Sequence, residues 1–260
     1  MTIFQSIFLG LVQGFTEFLP ISSSGHLVLF GSLFKLNESS QLLFFAMLHV
    51  ATLIAVLIYF FRDLIKLRIK DYWIIGVGTV PAVVIGLLFK DFLESLFSLA
   101  LLNSVTLVIT GLINLVADRK MRDLSVDSPE KSELTPGWQK ALLIGIAQAI
   151  AIIPGISRSG STVAAGVLLN VPRSQAFKFS FFLSIPAILG ASMLEIADHV
   201  ALTHSFSLSI AEWFGLLAAF IGGLLSLKLF SIVIHKAQLK WFGYYVIVVG
   251  LVSGAYFLFT

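Results

Sequence analysis

Long apolar segments are the feature that most constrains this chain. Six of them are continuous and long enough to cross a lipid bilayer: 41–61, 72–89, 99–117, 176–197, 210–233 and 241–259. At a rise of about 1.5 Å per residue, about 20 residues span a hydrocarbon core of about 30 Å. Continuous runs favour helices over a β-barrel, which needs alternating segments of about 10 residues. The sequence therefore predicts an all-α polytopic membrane protein with six transmembrane helices.

Composition excludes other classes of protein. Of the 260 residues, 58% are hydrophobic and 12% are charged, whereas soluble domains contain about 45–50% apolar and about 25% charged residues. This excludes a soluble enzyme and a disordered chain. The absence of cysteine excludes a disulfide, a thiolate nucleophile and a cysteine-based metal site. The net charge of +3 does not indicate nucleic-acid binding, because membrane proteins concentrate Lys and Arg on the cytoplasmic side. The expected partners are membrane lipids.

Two further apolar segments, 2–34 and 139–170, are interrupted in the middle by polar residues. The interruption runs from Glu17 to His26 in the first and from Ile153 to Thr162 in the second, and both contain Pro, Gly and Ser. These residue types favour non-helical backbone. Each segment is therefore predicted to form two short helices joined by a polar loop. Since each half is too short to cross, the expected structure is a re-entrant hairpin whose loop is buried in protein.

The two hairpins resemble each other at an offset of 135 positions. Seven pairs are identical: Gly10 and Gly145, Gln13 and Gln148, Ile21 and Ile156, Ser22 and Ser157, Ser24 and Ser159, Gly25 and Gly160, and Gly31 and Gly166. We interpret 1–117 and 139–260 as two copies of a hairpin plus three spans. They are joined by a connector, 118–138, within one integral membrane domain, 1–260. Because three is an odd number of spans, the second copy starts on the opposite side, which predicts an inverted-topology repeat.

The distribution of Lys and Arg predicts the orientation. Linkers 62–71, 118–140 and 234–240 are basic, whereas 90–98 contains only Lys90 and 198–209 contains no Lys or Arg. The positive-inside rule places the basic linkers in the cytoplasm. Both termini are then outside, the two hairpin tips meet in the middle, and the site between them faces the outer side of the membrane.

Three ionisable residues lie inside the hairpins: Glu17, His26 and Arg158. A charge at the centre of a bilayer costs at least about 2.5–3.5 kcal/mol, so such residues usually pair or line a polar cavity. If the tips meet, these residues share one space with seven hydroxyl side chains: Ser22, Ser23, Ser24, Ser157, Ser159, Ser161 and Thr162.

This combination of residues is typical of phosphate chemistry. The guanidinium of Arg158 matches phosphate oxygens, and the N–H groups of Gly–Ser turns at helix starts bind anions. Glu17 and His26 are candidates for proton transfer, and a nearby serine is a candidate nucleophile. The candidate diphosphate-binding residues are Gln13, Ser22, Ser24, Gly25, Ser157, Ser159, Gly160, Ser161 and Thr162. The loops therefore favour hydrolysis of a phosphoanhydride.

Simpler interpretations exist for each element. An Arg–Glu pair is often structural, serines at hairpin tips often satisfy backbone groups, and we interpret His49 in the first span as a packing or hydrogen-bonding residue. The coincidence of Glu, His, Arg and hydroxyls in two related loops favours a functional site. A transporter or lipid flippase without hydrolysis is the main alternative, because inverted repeats with broken helices are a transporter architecture. A scaffold protein would leave the polar loops unexplained.

At these loops the sequence resembles the undecaprenyl-diphosphate phosphatase family, also called bacitracin-resistance proteins. The first family motif is Glu/Gln-x-x-x-Glu leading into Pro-x-Ser-Ser-Ser/Thr-Gly-His, and it corresponds to residues 13–26. The second motif, Pro-Gly-x-Ser-Arg-Ser-Gly-x-Thr, corresponds to residues 154–162. The resemblance covers essentially the whole chain, including the six spans and two re-entrant hairpins.

The resemblance implies a substrate and a set of catalytic residues. The substrate is a C55 polyprenyl diphosphate, which is dephosphorylated to the lipid carrier for peptidoglycan and related wall polymers. The implied location is the bacterial plasma membrane. The implied catalytic residues are Glu17, Ser23, His26 and Arg158. Either Ser23 or His26 is the nucleophile, and the sequence does not separate these two chemistries. The oligomeric state also stays open, with a homodimer among the alternatives.

The resemblance also implies a divalent cation, Mg²⁺ or Ca²⁺. Many family members have glutamate at the position of Gln13, which here cannot act as a base or as an anionic metal ligand. Glu17 is then the only carboxylate in the hairpins. We therefore expect the ion to bind chiefly through the diphosphate, with Glu17 as its protein ligand.

Overall fold

The computed structural model describes residues 1–34, 38–124, 126 and 135–259, and the side chains of 38–42 are left out of the description. Within these residues all regular structure is helical. The helices are α1 (Ile3–Phe18), α2 (Ser23–Leu33), α3 (Glu38–Tyr59), α4 (Phe61–Leu64), α5 (Ile69–Leu88), α6 (Lys90–Phe97), α7 (Ala100–Met121), α8 (Trp138–Ile150), α9 (Arg158–Leu168), α10 (Arg173–Thr203), α11 (Ile210–Lys236) and α12 (Lys240–Phe259).

Five helices in the described part are long and apolar enough to cross a membrane: α5, α7, α10, α11 and α12. They coincide with five of the six predicted spans. The remaining predicted span, 41–61, corresponds to most of α3, a helix of 22 residues, and ends at Phe61 in α4. The linker 90–98 contains a short helix, α6, that the sequence did not predict. Much of the predicted connector 118–138 lies outside the described residues, and α7 continues into it as far as Met121.

Both interrupted segments form a helix, a loop and a second helix. The four hairpin helices α1, α2, α8 and α9 have 16, 11, 13 and 11 residues. At about 1.5 Å per residue even the longest is about 24 Å, too short to cross the core of a bilayer.

Equivalent serines begin the second helix of each hairpin. Ser22 caps α2 by accepting a hydrogen bond from the N–H of Gly25 at 3.2 Å. Ser157 caps α9 in the same way, from the N–H of Gly160 at 3.1 Å. A side-chain oxygen at this position satisfies one of the donors that a helix start leaves unpaired. Residues related by the offset of 135 positions therefore make equivalent capping hydrogen bonds in the two hairpins.

Close glycine contacts connect the two halves of the chain. A Cβ atom added at Gly10 of α1 would lie 2.1 Å from the carbonyl oxygen of Gly215 in α11. A Cβ atom at Gly145 of α8 would lie 2.1 Å from the carbonyl oxygen of Gly78 in α5. The first helix of each hairpin thus packs backbone to backbone against a long helix of the other half. Small residues at such crossings are typical of helix packing in membranes.

The loops between the long helices cluster at two ends of the molecule. At one end, Thr135 donates to Asp71 at 2.7 Å, Lys178 donates to Asp63 at 2.7 Å and the N–H of Lys240 donates to Asp118 at 2.9 Å. These contacts bring the three basic linkers together. At the other end, Lys90 of α6 forms an ion pair with Asp198 of α10.

A cluster of phenylalanines packs beneath the first hairpin tip. Phe18 contacts Phe181 edge to face, with ring centroids 5.5 Å apart, and Phe181 also contacts Phe177 and Phe230. All four rings are buried. Edge-to-face pairs add to the stabilisation from burial. Because Phe18 follows Glu17 directly, this cluster fixes the end of α1 and the position of its carboxylate.

Substitution of Gly145 by Ala tests the backbone contact between α8 and α5. We expect it to destabilise the protein by about 1–3 kcal/mol, because the added methyl group meets a backbone carbonyl that cannot move independently. The loss should appear as a lower thermal midpoint in detergent. Gly76→Ala is the matched control on α5, since nothing lies within 4 Å of its Cβ position. Equal midpoints for the two variants would contradict this contact.

Candidate active site

An ion pair between the two hairpin tips forms the centre of the site. Arg158, the first residue of α9, donates from Nη2 to Glu17 Oε1 near the end of α1, at 2.5 Å. Both side chains are largely buried, with 16% of the Arg158 side chain and 5% of the Glu17 side chain exposed. The tips therefore bring together two charges that lie 141 positions apart in the sequence.

Glu17 also binds two polar neighbours through its other oxygen. Ser23 Oγ donates to Oε2 at 2.5 Å, and Gln13 Nε2 donates to the same atom at 3.1 Å. Ser23 is partly exposed, whereas Glu17 and Gln13 are buried. A partly exposed hydroxyl that already donates to a carboxylate is arranged to lose its proton as it attacks.

His26 lies in the first turn of α2, with both ring nitrogens occupied. Nδ1 lies 2.8 Å from the carbonyl oxygen of Ser22, and Nε2 lies 3.0 Å from the hydroxyl of Tyr245 in α12. Since a carbonyl can only accept, Nδ1 carries the hydrogen, and the Tyr245 hydroxyl donates to Nε2. The two rings are nearly parallel, with an interplanar angle of 8°. The sequence did not single out Tyr245, because an aromatic residue in an apolar span is ordinarily lipid-facing or packing material.

A polar stripe on α7 holds both hairpin tips. Asn103 donates to the carbonyl oxygen of Gly25 at 3.1 Å, and Asn114 donates to that of Pro20 at 2.6 Å. Thr106 and Thr110 donate to the carbonyl oxygens of Pro154 and Gly155 at 2.5 and 2.8 Å. The four residues lie on one helical face, at spacings of three, four and four. This spacing of polar residues is the sequence signal for the stripe, whereas hydropathy alone indicates only an apolar span.

Several predicted phosphate-binding hydroxyls are engaged in the fold itself. Ser22 and Ser157 are helix caps whose oxygens lie 3.2 Å from those of Ser24 and Ser159. Ser159 also donates to the carbonyl oxygen of Leu19 at 3.1 Å. These hydroxyls satisfy backbone groups that water cannot reach.

The other predicted residues lie in the same region of α9. Thr162 Oγ1 donates to the carbonyl oxygen of Arg158 at 2.8 Å and lies 2.6 Å from Ser180 Oγ. Gly160 and Ser161 are buried between these residues in the first turn of the helix. Ser24, next to Ser23, is partly exposed.

One donor of the site has no partner among the described residues. Arg158 Nη1 is buried and makes no hydrogen bond within that part of the chain. An unpaired buried donor of a guanidinium is costly, so a ligand that pairs with it gains a charge-assisted hydrogen bond. A phosphate oxygen has the charge and the acceptor geometry for this position.

The residues at the site do not make a metal site of their own. No group of three His, Asp or Glu residues converges anywhere in the described part of the chain. Both oxygens of Glu17 are already engaged, one by Arg158 and the other by Ser23 and Gln13. A hard divalent cation needs six or more oxygen ligands. This donor set does not fit a cation held by the protein alone.

His49 approaches the same carboxylate from α3. Its Nδ1 lies 2.8 Å from the carbonyl oxygen of Phe45, as expected for a hydrogen-bonding residue of a span. Its Nε2, however, lies 3.6 Å from Glu17 Oε2, and 29% of the side chain is exposed. The tertiary structure thus adds a residue of α3 to a site that the sequence placed in the hairpins alone.

Comparison with known proteins gives a consistent result over almost the whole chain. Residues 6–252 match the family described as bacitracin resistance protein BacA. An undecaprenyl-diphosphatase of Carboxydothermus hydrogenoformans is 41% identical over 258 residues, which cover 96% of each chain. A protein of the same name from Halothermothrix orenii is 39% identical, again over 96% of each chain. One from Methanococcus maripaludis is 38% identical over 93% of this chain and 95% of the relative.

Removal of the Arg158 charge tests the ion pair through stability. We expect Arg158→Gln to destabilise the protein by about 3–5 kcal/mol, because it leaves the Glu17 carboxylate buried without a counter-charge. The double variant Glu17→Gln with Arg158→Gln should recover part of this loss, since no unpaired charge remains. Thermal unfolding in detergent measures both, with Arg119→Gln on the exposed face of α7 as the control. A double variant no more stable than the single one would contradict the pairing.

Proposed function

The chain belongs to the bacitracin resistance protein BacA family, and on that premise we propose that it hydrolyses undecaprenyl diphosphate. The products are undecaprenyl phosphate and inorganic phosphate. The reaction recycles the lipid carrier for peptidoglycan and other wall polymers and thereby gives resistance to bacitracin. The observation that carries the proposal is the arrangement around Glu17. Its carboxylate accepts hydrogen bonds from the Ser23 hydroxyl and from Arg158 Nη2, while Arg158 Nη1 has no partner among the described residues.

Arg158 has the geometry to bind the terminal phosphate. Its Nη2 is held by Glu17, which fixes the plane of the guanidinium and leaves Nη1 for a phosphate oxygen. Negative charge on the transferred phosphoryl group is stabilised best by a cation that is already oriented. Tyr245, which is about half-exposed, lies beside His26.

Ser23 is the nucleophile that the contacts favour. Its Oγ lies 2.5 Å from Glu17 and is accessible, so the carboxylate takes the hydroxyl proton as Oγ attacks the terminal phosphorus. The bond from this phosphorus to the bridging oxygen breaks, and water then releases phosphate from the phosphoserine. His26 is 3% exposed, and its Nε2 is covered by Tyr245. In this mechanism His26 orients the first turn of α2 through its bond to Ser22.

A divalent cation enters this proposal only with the substrate. The engaged oxygens of Glu17 leave too few protein ligands for a resident Mg²⁺ or Ca²⁺ ion. The diphosphate itself supplies oxygen ligands, and such an ion neutralises part of its charge. Glu17, the one carboxylate in the two hairpin sequences, is the protein residue that would contact such an ion.

The proposed topology has six spans and two re-entrant hairpins in an inverted repeat, with α3 as the sixth span. The short hairpin helices and the matched glycine contacts of α1 and α8 support it. The basic linkers share one end of the molecule, which is cytoplasmic by the positive-inside rule. The site then opens to the outer side of the plasma membrane. A homodimer stays a prediction.

Phosphate release from undecaprenyl diphosphate by the purified protein in detergent tests the function. We expect Ser23→Ala and Arg158→Ala each to lower kcat by about 100-fold or more. The first variant removes the nucleophile, and the second removes the guanidinium that binds the terminal phosphate. Ser98→Ala is the control, since this exposed hydroxyl only donates to the carbonyl oxygen of Ser95. Wild-type protein that moves the lipid across vesicles but releases no phosphate would favour the flippase alternative.

The same preparation identifies the nucleophile. A phosphorylated peptide trapped during turnover and mapped by mass spectrometry should carry its phosphate on Ser23. Phosphate on His26 would contradict the serine mechanism, although the hydrolytic function would stand.

Single cysteines test the proposed sidedness. The chain contains no cysteine, so each introduced thiol is the only one to react. Ser95→Cys in α6 and Lys66→Cys in the linker 62–71 both change exposed residues. We expect an impermeant maleimide added to intact cells to label the first variant and to label the second only after the membrane is opened. The reverse pattern would invert the topology.

A further inference from the structure

One buried polar side chain of the second hairpin has no part in the proposed reaction. Gln148 lies in the last turn of α8, and only 2% of the residue is exposed. Neither its amide nitrogen nor its amide oxygen has a hydrogen-bond partner among the described residues. An amide buried in this way destabilises the ligand-free protein, so its presence indicates a ligand that pairs with it.

The packing around Gln148 corresponds to the packing around Gln13, its counterpart at the offset of 135 positions. In each half, the residue one turn before the glutamine packs in one core cluster with two residues of the long helix that follows the hairpin. These residues are Leu9, Phe44 and Leu48 in the first half, and Ile144, Phe179 and Leu183 in the second. Gln148 therefore has the position in α8 that Gln13 has in α1.

In the first hairpin, the glutamine shares an acceptor with the first residue of α2. Gln13 Nε2 and Ser23 Oγ both donate to Glu17 Oε2, at 3.1 and 2.5 Å. At the same offset, Ser23 corresponds to Arg158, the first residue of α9. Gln148 and Arg158 are thus the corresponding pair of donors in the second hairpin, and they start from positions that face one space.

The second hairpin has no carboxylate at the position that accepts these bonds in the first. Glu17 corresponds to Ile152, whose Cδ1 lies toward α5, 3.8 Å from the position of a Cβ atom added at Gly86. Arg158 Nη1 is buried without a partner among the described residues, as is the Gln148 amide. Two buried donors with no acceptor between them favour an anion that offers several oxygens.

We propose that Gln148 binds the terminal phosphate of the substrate, an inference that rests on the proposed function. Its Nε2 donates to one phosphate oxygen, while Arg158 Nη1 donates to another. Its Oε1 turns away from the anion and accepts a hydrogen bond from water that enters with the substrate. Two donors on two oxygens fix the orientation of the phosphoryl group toward Ser23. A neutral amide achieves this without burying a second positive charge.

Gln148→Met tests this contact in phosphate release by the full-length protein in detergent. We expect kcat/KM to fall about 10- to 100-fold, which corresponds to the loss of one hydrogen bond to a charged group. The thermal midpoint of the ligand-free variant should not fall, because Met has nearly the volume of Gln and replaces an amide without partners. Gln238→Met is the matched control, since this residue is exposed and follows α11.

Gln148→Glu keeps the shape of the side chain but replaces the donor by a negative charge. We expect it to lower kcat/KM more than Gln148→Met does, because a carboxylate repels the phosphate. Inorganic phosphate serves as the binding probe, and it should raise the thermal midpoint of Gln148→Met less than that of the wild type or Gln238→Met.

Two results would overturn the assignment of Gln148. One is a wild-type kcat/KM in Gln148→Met or Gln148→Glu. The other is a lower midpoint of ligand-free Gln148→Met, which would show that the amide has a partner in the fold. Wild-type protein that releases no phosphate would instead refute the proposed function.

Discussion

The ion pair between Glu17 and Arg158 is the interaction on which the arrangement of the site depends. A buried charge without a counter-charge is strongly destabilising, and the tips of these short hairpins are buried away from water. The charge on each tip is therefore stabilised by the charge on the other. Once the two charges meet, the loop backbones around them also need hydrogen-bond partners inside the protein, and the polar stripe of α7 supplies them.

The two hairpins have equivalent helix caps but carry different side chains at the site. At the offset of 135 positions, Ser23 corresponds to Arg158 and Glu17 corresponds to Ile152. The same place in the hairpin thus holds a hydroxyl in one half and a cation in the other. Equivalent caps at Ser22 and Ser157 preserve the backbone of both loops while these neighbouring side chains differ. One half supplies the Glu17 carboxylate and the Ser23 hydroxyl, and the other supplies the Arg158 guanidinium.

Much of the fold was predictable because the bilayer leaves few choices. Segment length and hydropathy identified five of the long helices, and Pro, Gly and Ser located both hairpin loops. The principal charged residues of the site were predictable for a related reason, since Glu17 and Arg158 stand out in apolar surroundings. Helix α6 was missed because its eight residues follow α5 directly and carry charges typical of a linker. The sequence identified the hydroxyl residues of the tips, but it did not show which groups they bond to.

The sequence by itself determined that this chain is a membrane protein with two polar loops, because hydrophobic segment length and buried charge are local properties. Only the tertiary structure decided which residues complete the site. Tyr245 covers His26 from α12, and His49 faces Glu17 from α3. Both look like ordinary members of apolar spans, since their roles depend on how distant helices are rotated and packed. That packing is set by backbone contacts such as Gly10 with Gly215, which no local pattern specifies.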